Sequence, residues 1–377
     1  MIRTLKKLTN NINRFYTLII IEACRIAVRR RYKNIPSPME GEKEWRKKWS
    51  PLIKHPTVKY YRKYAGFLGP NVDIPPTEAM QLQIQPILNP SLMRVHYLDK
   101  NMFDQIYGKE VMAKTILRRI NGEYFNTDYE SLGMKSPSIP SVTMKGLIAK
   151  PSRDSYGGRN ILLFVRNQSD KFMQVDDPNT ELSVELLDKL LGDDWILQEQ
   201  LKQSSFMAQF NESSVNTFRV HVYKSPVTGI IDTPSICIRI GAKGHWFDNI
   251  HSGGVCVSVN PDTGVLGKIP VDVKSVPQSQ YNGIDFANTE ITVPDIVGLR
   301  NFAKRIGKCV VHHHSLALDV MLDEKGEYKL IEVNIGTIDA EMYMATGFTP
   351  FGKYTNEVID YCSHRHDKVR MVHVIPW

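Results

Sequence analysis

Leu316-Ala-Leu-Asp319-Val-Met-Leu-Asp-Glu-Lys-Gly326-Glu-Tyr-Lys-Leu-Ile-Glu332-Val-Asn334 is the most informative stretch of the 377-residue chain. Two apolar runs flank a polar turn that contains a glycine, which is the pattern of a β-hairpin. With Lys325 and Gly326 at the turn, Asp319 directly faces Glu332, and Asn334 lies two residues further along the same face. Two opposed carboxylates between apolar neighbours repel unless something positive lies between them. Mg²⁺ suits that place, because it takes hard oxygen ligands, a few from protein and the rest from phosphates and water. The competing reading is a register slip of one residue, which turns one acid to solvent.

Outward from the hairpin, short apolar runs read as strands at 145–150, 161–165, 195–201, 217–223, 236–240 and 255–259. Helical patterns fall at 181–191, 294–306 and 354–364, and a further one is expected at 102–119. Strands mixed with helices indicate an α+β body of two lobes. A glycine loop, Lys150-Pro-Ser-Arg-Asp-Ser155-Tyr156-Gly157-Gly158-Arg159-Asn160, joins two of the strands. Paired glycines let backbone N–H groups approach a phosphate, and Lys150 adds a point charge. Neither GxxxxGK[ST] nor GxGxxG is present, so the loop is neither a Walker A loop nor a dinucleotide fingerprint.

The charge is uneven. Residues 1–70 carry 17 Lys+Arg against 4 Asp+Glu, a net of +13, whereas the rest of the chain is at −5. One basic, mainly helical end on a slightly acidic body excludes a uniformly basic nucleic-acid binder. The five cysteines are scattered without a CxxC, which argues against a disulfide framework and a zinc site. No run approaches 18 apolar residues, so neither a membrane span nor a cleavable signal is expected, and the reading is cytoplasmic. The basic segment 1–33 suits peripheral contact with the inner face of an anionic membrane; a helix packed on its own domain is the plainer alternative. The length suggests two or three units. These are a basic helical segment at 1–70, a region at 71–142 ahead of the clasping lobes, a small lobe at 143–203 and a large lobe at 204–377.

Taken in order, the lysine and glycine loop, Ile196-Leu-Gln198-Glu199-Gln-Leu201, Asn216-Thr-Phe-Arg219-Val, the Arg239 to Gly254 segment and the Asp319…Glu332-x-Asn334 hairpin resemble the ATP-grasp superfamily. More closely, the chain looks like the sugar-transfer-associated ATP-grasp proteins, which are similar in turn to carboxylate–amine ligases of the ribosomal protein S6 modification type. The resemblance runs from about residue 90 to 360. It implies two α+β lobes clasping ATP, with Lys100 and Lys150 on the phosphates and Ser155, Gly157 and Gly158 closing over them. It implies Gln198 and Glu199 at adenine and ribose, and two Mg²⁺ ions on Asp319, Glu332 and Asn334. Arg219 would steady the transferred phosphoryl group, with Arg239 and Asn249 at the substrate side. The implied activity joins a small or sugar-linked carboxylate to an amine through an acyl-phosphate, releasing ADP and phosphate, in cell-surface polysaccharide assembly. A phosphotransferase or a non-catalytic nucleotide-binding scaffold on the same fold are the alternatives. Tyr156 and Arg159 stand where smaller residues are common in relatives. His312-His313-His314 precede the hairpin, but adjacent side chains on a strand alternate faces and cannot all converge.

Overall fold

The structure, a computed structural model, describes residues 38–90, 93–153, 160–246, 248 and 250–365, with residues 19, 22, 23 and 26 described singly. The basic segment expected to touch a membrane therefore lies outside the described residues, apart from those four positions. No helix among the described residues is long and apolar enough to cross a membrane.

Two antiparallel sheets form the frame. The first has seven strands: β1 (Thr115–Ile120), β2 (Glu123–Phe125), β3 (Ser131–Gly133), β4 (Gly146–Pro151), β5 (Leu162–Arg166), β6 (Phe172–Gln174) and β7 (Trp195–Glu199). Their order is β3-β2-β1-β7-β4-β5-β6. Leu117, Leu147, Ala149 and Leu197 point to one face and meet Val184 and Leu187 of the helix Val184–Leu191 in a small core. Ser183 starts that helix by accepting from the Leu186 N–H at 3.1 Å, an N-cap. The opposite face carries Lys150, Ile148 and Gln198, because side chains alternate along a strand.

The second sheet has β8 (Thr217–Lys224), β9 (Ile231–Ile240), β10 (Val255–Val259), β13 (Ser315–Leu322) and β14 (Tyr328–Asn334), ordered β10-β9-β8-β13-β14. Between β10 and β13 come a two-stranded ribbon, β11 (Gln280–Tyr281) with β12 (Ile284–Asp285), and the helix Ile296–Cys309. That helix covers one face of the sheet with Leu299, Phe302 and Ile306, against Val220, Val222, Leu318 and Val320. It comes so close that a Cβ on Gly307 would meet Val222 Cγ1 at 2.8 Å, so glycine is needed there.

The other face of this sheet is apolar at one end only. There Tyr223, Cys237 and Ala317 are covered jointly by the helices Glu42–Trp49 and Val58–Leu68 and by the late helices Ala340–Ala345 and Thr355–Ser363. Trp45 and Trp49 donate their indole N–H groups to Ile74 O and Val72 O at 2.6 and 2.9 Å. Tyr61 donates to Glu40 O at 2.7 Å. These aromatic residues are fully buried, so the helices near the start of the chain are packed elements of the large lobe.

Two expectations need correcting. Residues 102–119 are not one helix: it spans only Phe103–Tyr107, ends at Gly108 with φ +103°, and gives way to β1. β1 pairs with β7, so residues 115–133 extend the small-lobe sheet ahead of the boundary expected at 143. A second difference concerns the hairpin. The loop is Glu324-Lys325-Gly326, closed by Asp323 N–H donating to Glu327 O at 2.9 Å, with Gly326 at φ +79°. A three-residue loop alone would place Asp319 opposite Ile331. The ladder shifts by one between Asp319 and Val320, however, and this bulge restores the Asp319↔Glu332 and Ala317↔Asn334 pairs. Leu330 and Val333 consequently both face the apolar core, while Glu332 and Asn334 turn to the Asp319 side.

Candidate functional site

The polar middle of the second sheet faces Lys150 of the first. Pairing across the sheet runs Cys237–Arg219–Asp319–Glu332, so these four side chains share one face. Arg239 joins them on that face, because it lies two residues from Cys237 and opposite Thr217.

Asp319 is the centre. It is 4% exposed, and each carboxylate oxygen meets one guanidinium: Arg219 Nε lies 3.0 Å from Oδ1 and Arg239 Nη1 2.9 Å from Oδ2. Both arginines reach on to a second acid. Arg219 Nη2 lies 3.4 Å from Asp339 Oδ2, and Arg239 Nη2 is 2.9 Å from Asp248 Oδ1. The result is a chain Asp248–Arg239–Asp319–Arg219–Asp339. Burial pushes the Asp319 carboxyl up, opposed by Arg219 and Arg239. Burial also works against both guanidinium charges, but the acids around them outweigh it and hold them protonated. Two fixed cations within 3.0 Å are satisfied by the carboxylate form.

Lys100 lies in the short turn Lys100–Met102, started by Asp99, whose side chain accepts from Asn101 N–H at 3.0 Å. Its own N–H donates to Ser152 O at 2.9 Å, which fastens it to the end of β4 beside Lys150. Lys100 Nζ lies 3.1 Å from Glu332 Oε1, an ion pair across the cleft. Burial and the neighbouring Lys100 charge lower the Lys150 ammonium to about 8, with Glu332 opposing them. Against the upward push of burial, Lys100, Arg219 and Lys150 hold the Glu332 carboxyl below its usual range.

A cavity of about 620 Å³ also lies between elements of the two sheets, lined among others by Met112, Gly146, Glu199, Leu201, Asp323 and Lys329. Gln198 faces the cleft but is 2% exposed, and its amide donates to Ala113 O and Thr115 Oγ1 at 3.3 and 3.4 Å, so it braces β7 to β1. The structure therefore brings together Lys100, Lys150, Arg219, Arg239, Asp319, Glu332 and Asn334. Ser155, Gly157, Gly158 and Asn249 lie outside the described residues.

Among the described residues no group of three or more His, Cys, Asp or Glu side chains is arranged to cage an ion. Mg²⁺ does not need such a cage when phosphates supply the other oxygens. Asp319, Glu332 and Asn334 present hard oxygens on one face; each Asp319 oxygen keeps a lone pair beyond its guanidinium contact. The buried Asn334 Nδ2 has no hydrogen-bond partner among the described residues. The donor set fits one or two Mg²⁺ ions bound together with a polyphosphate.

The histidine run lies ahead of β13 rather than on it; His312 and His313 both pack on Tyr97, and His314 turns to Lys224. His312 Nδ1 meets the Tyr97 hydroxyl at 2.7 Å, His314 Nδ1 meets Lys224 O at 3.0 Å, and His313 is buried against the Tyr97 ring, its imidazolium disfavoured to about 4 by burial. Cys237, Cys256 and Cys362 are buried and Cys309 is half-buried; burial raises the Cys237, Cys309 and Cys362 thiols, which does not favour a nucleophile.

Three residues escaped the sequence reading. Asp248 and Asp339 supply the outer charges of the arginine chain. Asn89, fully buried, holds the hairpin from behind. Its Nδ2 donates to Ser315 O at 2.5 Å and Ile335 O at 3.0 Å, and its Oδ1 accepts from His314 and Ser315 N–H at 3.2 and 3.1 Å. The only signal for Asp248 was its place beside Asn249 in the Arg239 to Gly254 segment.

The model of a family described as sugar-transfer associated ATP-grasp matches residues 80–353. Among solved structures, an L-amino acid ligase from Bacillus licheniformis is 14% identical with a TM-score of 0.32, covering 64% of this chain and 41% of that one. A D-cycloserine synthetase is 10% identical with a TM-score of 0.40, covering 74% and 73%. The D-alanine-D-alanine ligase from Coxiella burnetii is 9% identical with a TM-score of 0.36, covering 78% and 66%. The chain thus spans about two fifths of the length of the first of these. No curated protein matches it. On the match over 80–353, the chain belongs to the sugar-transfer associated ATP-grasp family, an α+β fold of two lobes.

Proposed function

We propose that the protein is an ATP-dependent carboxylate–amine ligase. The observation that carries this reading is the facing of Lys100 and Lys150 on one lobe with Glu332, Asp319, Arg219 and Arg239 on the other, beside a cavity of nucleotide size. Phosphoryl transfer asks little covalent help of a protein and much neutralisation of charge. Lys100 and Lys150 bind and orient the phosphates, and Glu199 lies at the cavity that takes the nucleoside. Asp319, Glu332 and Asn334 would hold Mg²⁺, which supplies charge neutralisation at the phosphate oxygens when bound. Arg219 and Arg239 stabilise charge on the acyl-phosphate formed when a substrate carboxylate attacks the γ-phosphorus and ADP leaves with the bridging oxygen. An amine arriving deprotonated then displaces phosphate, forming an amide.

The sugar-transfer description of the family supports a carboxyl-bearing sugar or sugar-linked intermediate of cell-surface polysaccharide as one substrate. The test is ADP release with Mg²⁺ATP across amino acids paired with nucleotide-linked uronic acids, with the phosphate followed. Free phosphate with an amide product is the expected result. Phosphate retained on the product makes the protein a phosphotransferase and overturns the ligase reading.

A further inference from the structure

We infer that Asp248 is a positioning residue that fixes the Arg239 guanidinium on the cleft face and keeps it from closing over Asp319. The kinetic part of this inference rests on the ligase reading; the geometric part stands without it. Arg239 uses its two Nη groups on two different acids, Asp319 Oδ2 and Asp248 Oδ1, both at 2.9 Å. A planar guanidinium held at both ends has one orientation left. If Asp248 were neutral, Asp319 would be the one carboxylate left to Arg239, and the Arg239 fork would be free to take both Asp319 oxygens at once. The lone pairs that Asp319 now keeps open would then be covered.

Asp248 is itself placed by two independent devices. Its Oδ2 accepts from the Thr217 hydroxyl, and Thr217 is the cross-strand partner of Arg239. The strand pair that carries the arginine therefore also orients the acid that orients it. The loop that delivers Asp248, between β9 and β10, is anchored at both ends. Asn211 and Asn282 donate to Gly241 O at 2.9 and 3.1 Å, Gly241 N–H donates to Asn216 Oδ1 at 3.1 Å, and Tyr281 donates to Gly253 O at 2.7 Å. Asp248, 9% exposed, is thus held over the site rather than left in solvent.

The experiment follows the arginine Nε–H signals of the ¹⁵N-labelled full chain by NMR, together with turnover. In Asp248→Asn the Arg239 signal should shift or broaden by exchange while that of Arg118, paired with Asp104 in the small lobe, stays in place. Thr217→Val should move the Arg239 signal in the same direction by less, and the double variant no further than Asp248→Asn alone. With a carboxylate–amine pair found by ADP release, kcat should fall roughly 10- to 100-fold, the scale of a misplaced group, and the Mg²⁺ concentration needed for half-maximal rate should rise with it, because Asp319 is covered. An unmoved Arg239 signal in folded Asp248→Asn, additive effects of the two substitutions, or an unchanged Mg²⁺ requirement would overturn the inference. Absence of ligation by wild type with every pair would count against the ligase reading, and the Arg239 signal would still decide the role of Asp248.

Discussion

Nucleotide binding should take up a proton at Lys150. Burial and the adjacent Lys100 charge lower its ammonium to about 8. Because the shift is downward, the charged form that attracts phosphate is present below pH 8 and is lost as pH rises through it. By simple titration about 90% of the lysine is protonated at pH 7 and about 10% at pH 9. A bound polyphosphate favours the ammonium, so binding at pH 8 should draw about half a proton from solvent. The affinity of wild type should weaken roughly tenfold between pH 7 and 9, about 1.4 kcal/mol. Calorimetric titration of ADP with Mg²⁺ in buffers of different ionisation enthalpy measures the proton count directly. Lys150→Ala should bind more weakly at pH 7 and show no uptake at pH 8. Zero uptake by wild type, or the same uptake in Lys150→Ala, would refute the assignment of Lys150 to the phosphates.

Three other substitutions probe the site and its frame. Glu332→Gln should lower turnover about 100-fold or more, as loss of a charge-stabilising group in a dry site does, while leaving the thermal midpoint within about 2 °C; near-normal ADP release would remove Glu332 from the metal set. Asn89→Ala breaks four buried hydrogen bonds to backbone groups. At about 1 kcal/mol each it should cost about 3–4 kcal/mol in urea unfolding, and a loss below about 1 kcal/mol would show that water replaces them. Gly326→Ala puts a side chain at φ +79° with open space around it, and should cost about 1 kcal/mol without changing turnover.

The strands and the later helices were legible because their apolar periods are unambiguous, and the hairpin because its acids stand alone among apolar residues. The Asp319–Glu332 pairing nevertheless emerged through two differences that cancel. The loop has three residues rather than two, and the bulge at Ile331 returns the missing step. Periodicity carries no mark of a bulge, so the reading reached the right face without its reason. The expected helix over 102–119 failed because Gly108 was not taken as a stop and the apolar residues of β1 also suit a helix. Gln198 read as a nucleotide contact because of its motif, yet its amide is spent on Ala113 and Thr115. The partners of the arginines were not legible at all. Asp248 and Asp339 come from loops, and which loop carboxylate meets which strand arginine is decided by tertiary packing.

The shared core of early and late helices bears on how this protein can be divided. The family match begins at residue 80 and ends at 353, yet Trp45, Trp49, Tyr60, Tyr61 and Tyr64 before it and Val358, Ile359 and Cys362 after it close over the same end of the second sheet. The unit of descent recognisable in sequence is therefore smaller than the unit that closes this core. A fragment trimmed to the matched residues would carry Ala317, Tyr343 and Phe351 bare, a sticky surface two strand positions from Asp319. Exchange of such regions between relatives would have to move both chain ends together, which ties the fate of a segment without catalytic motifs to that of the cleft it backs.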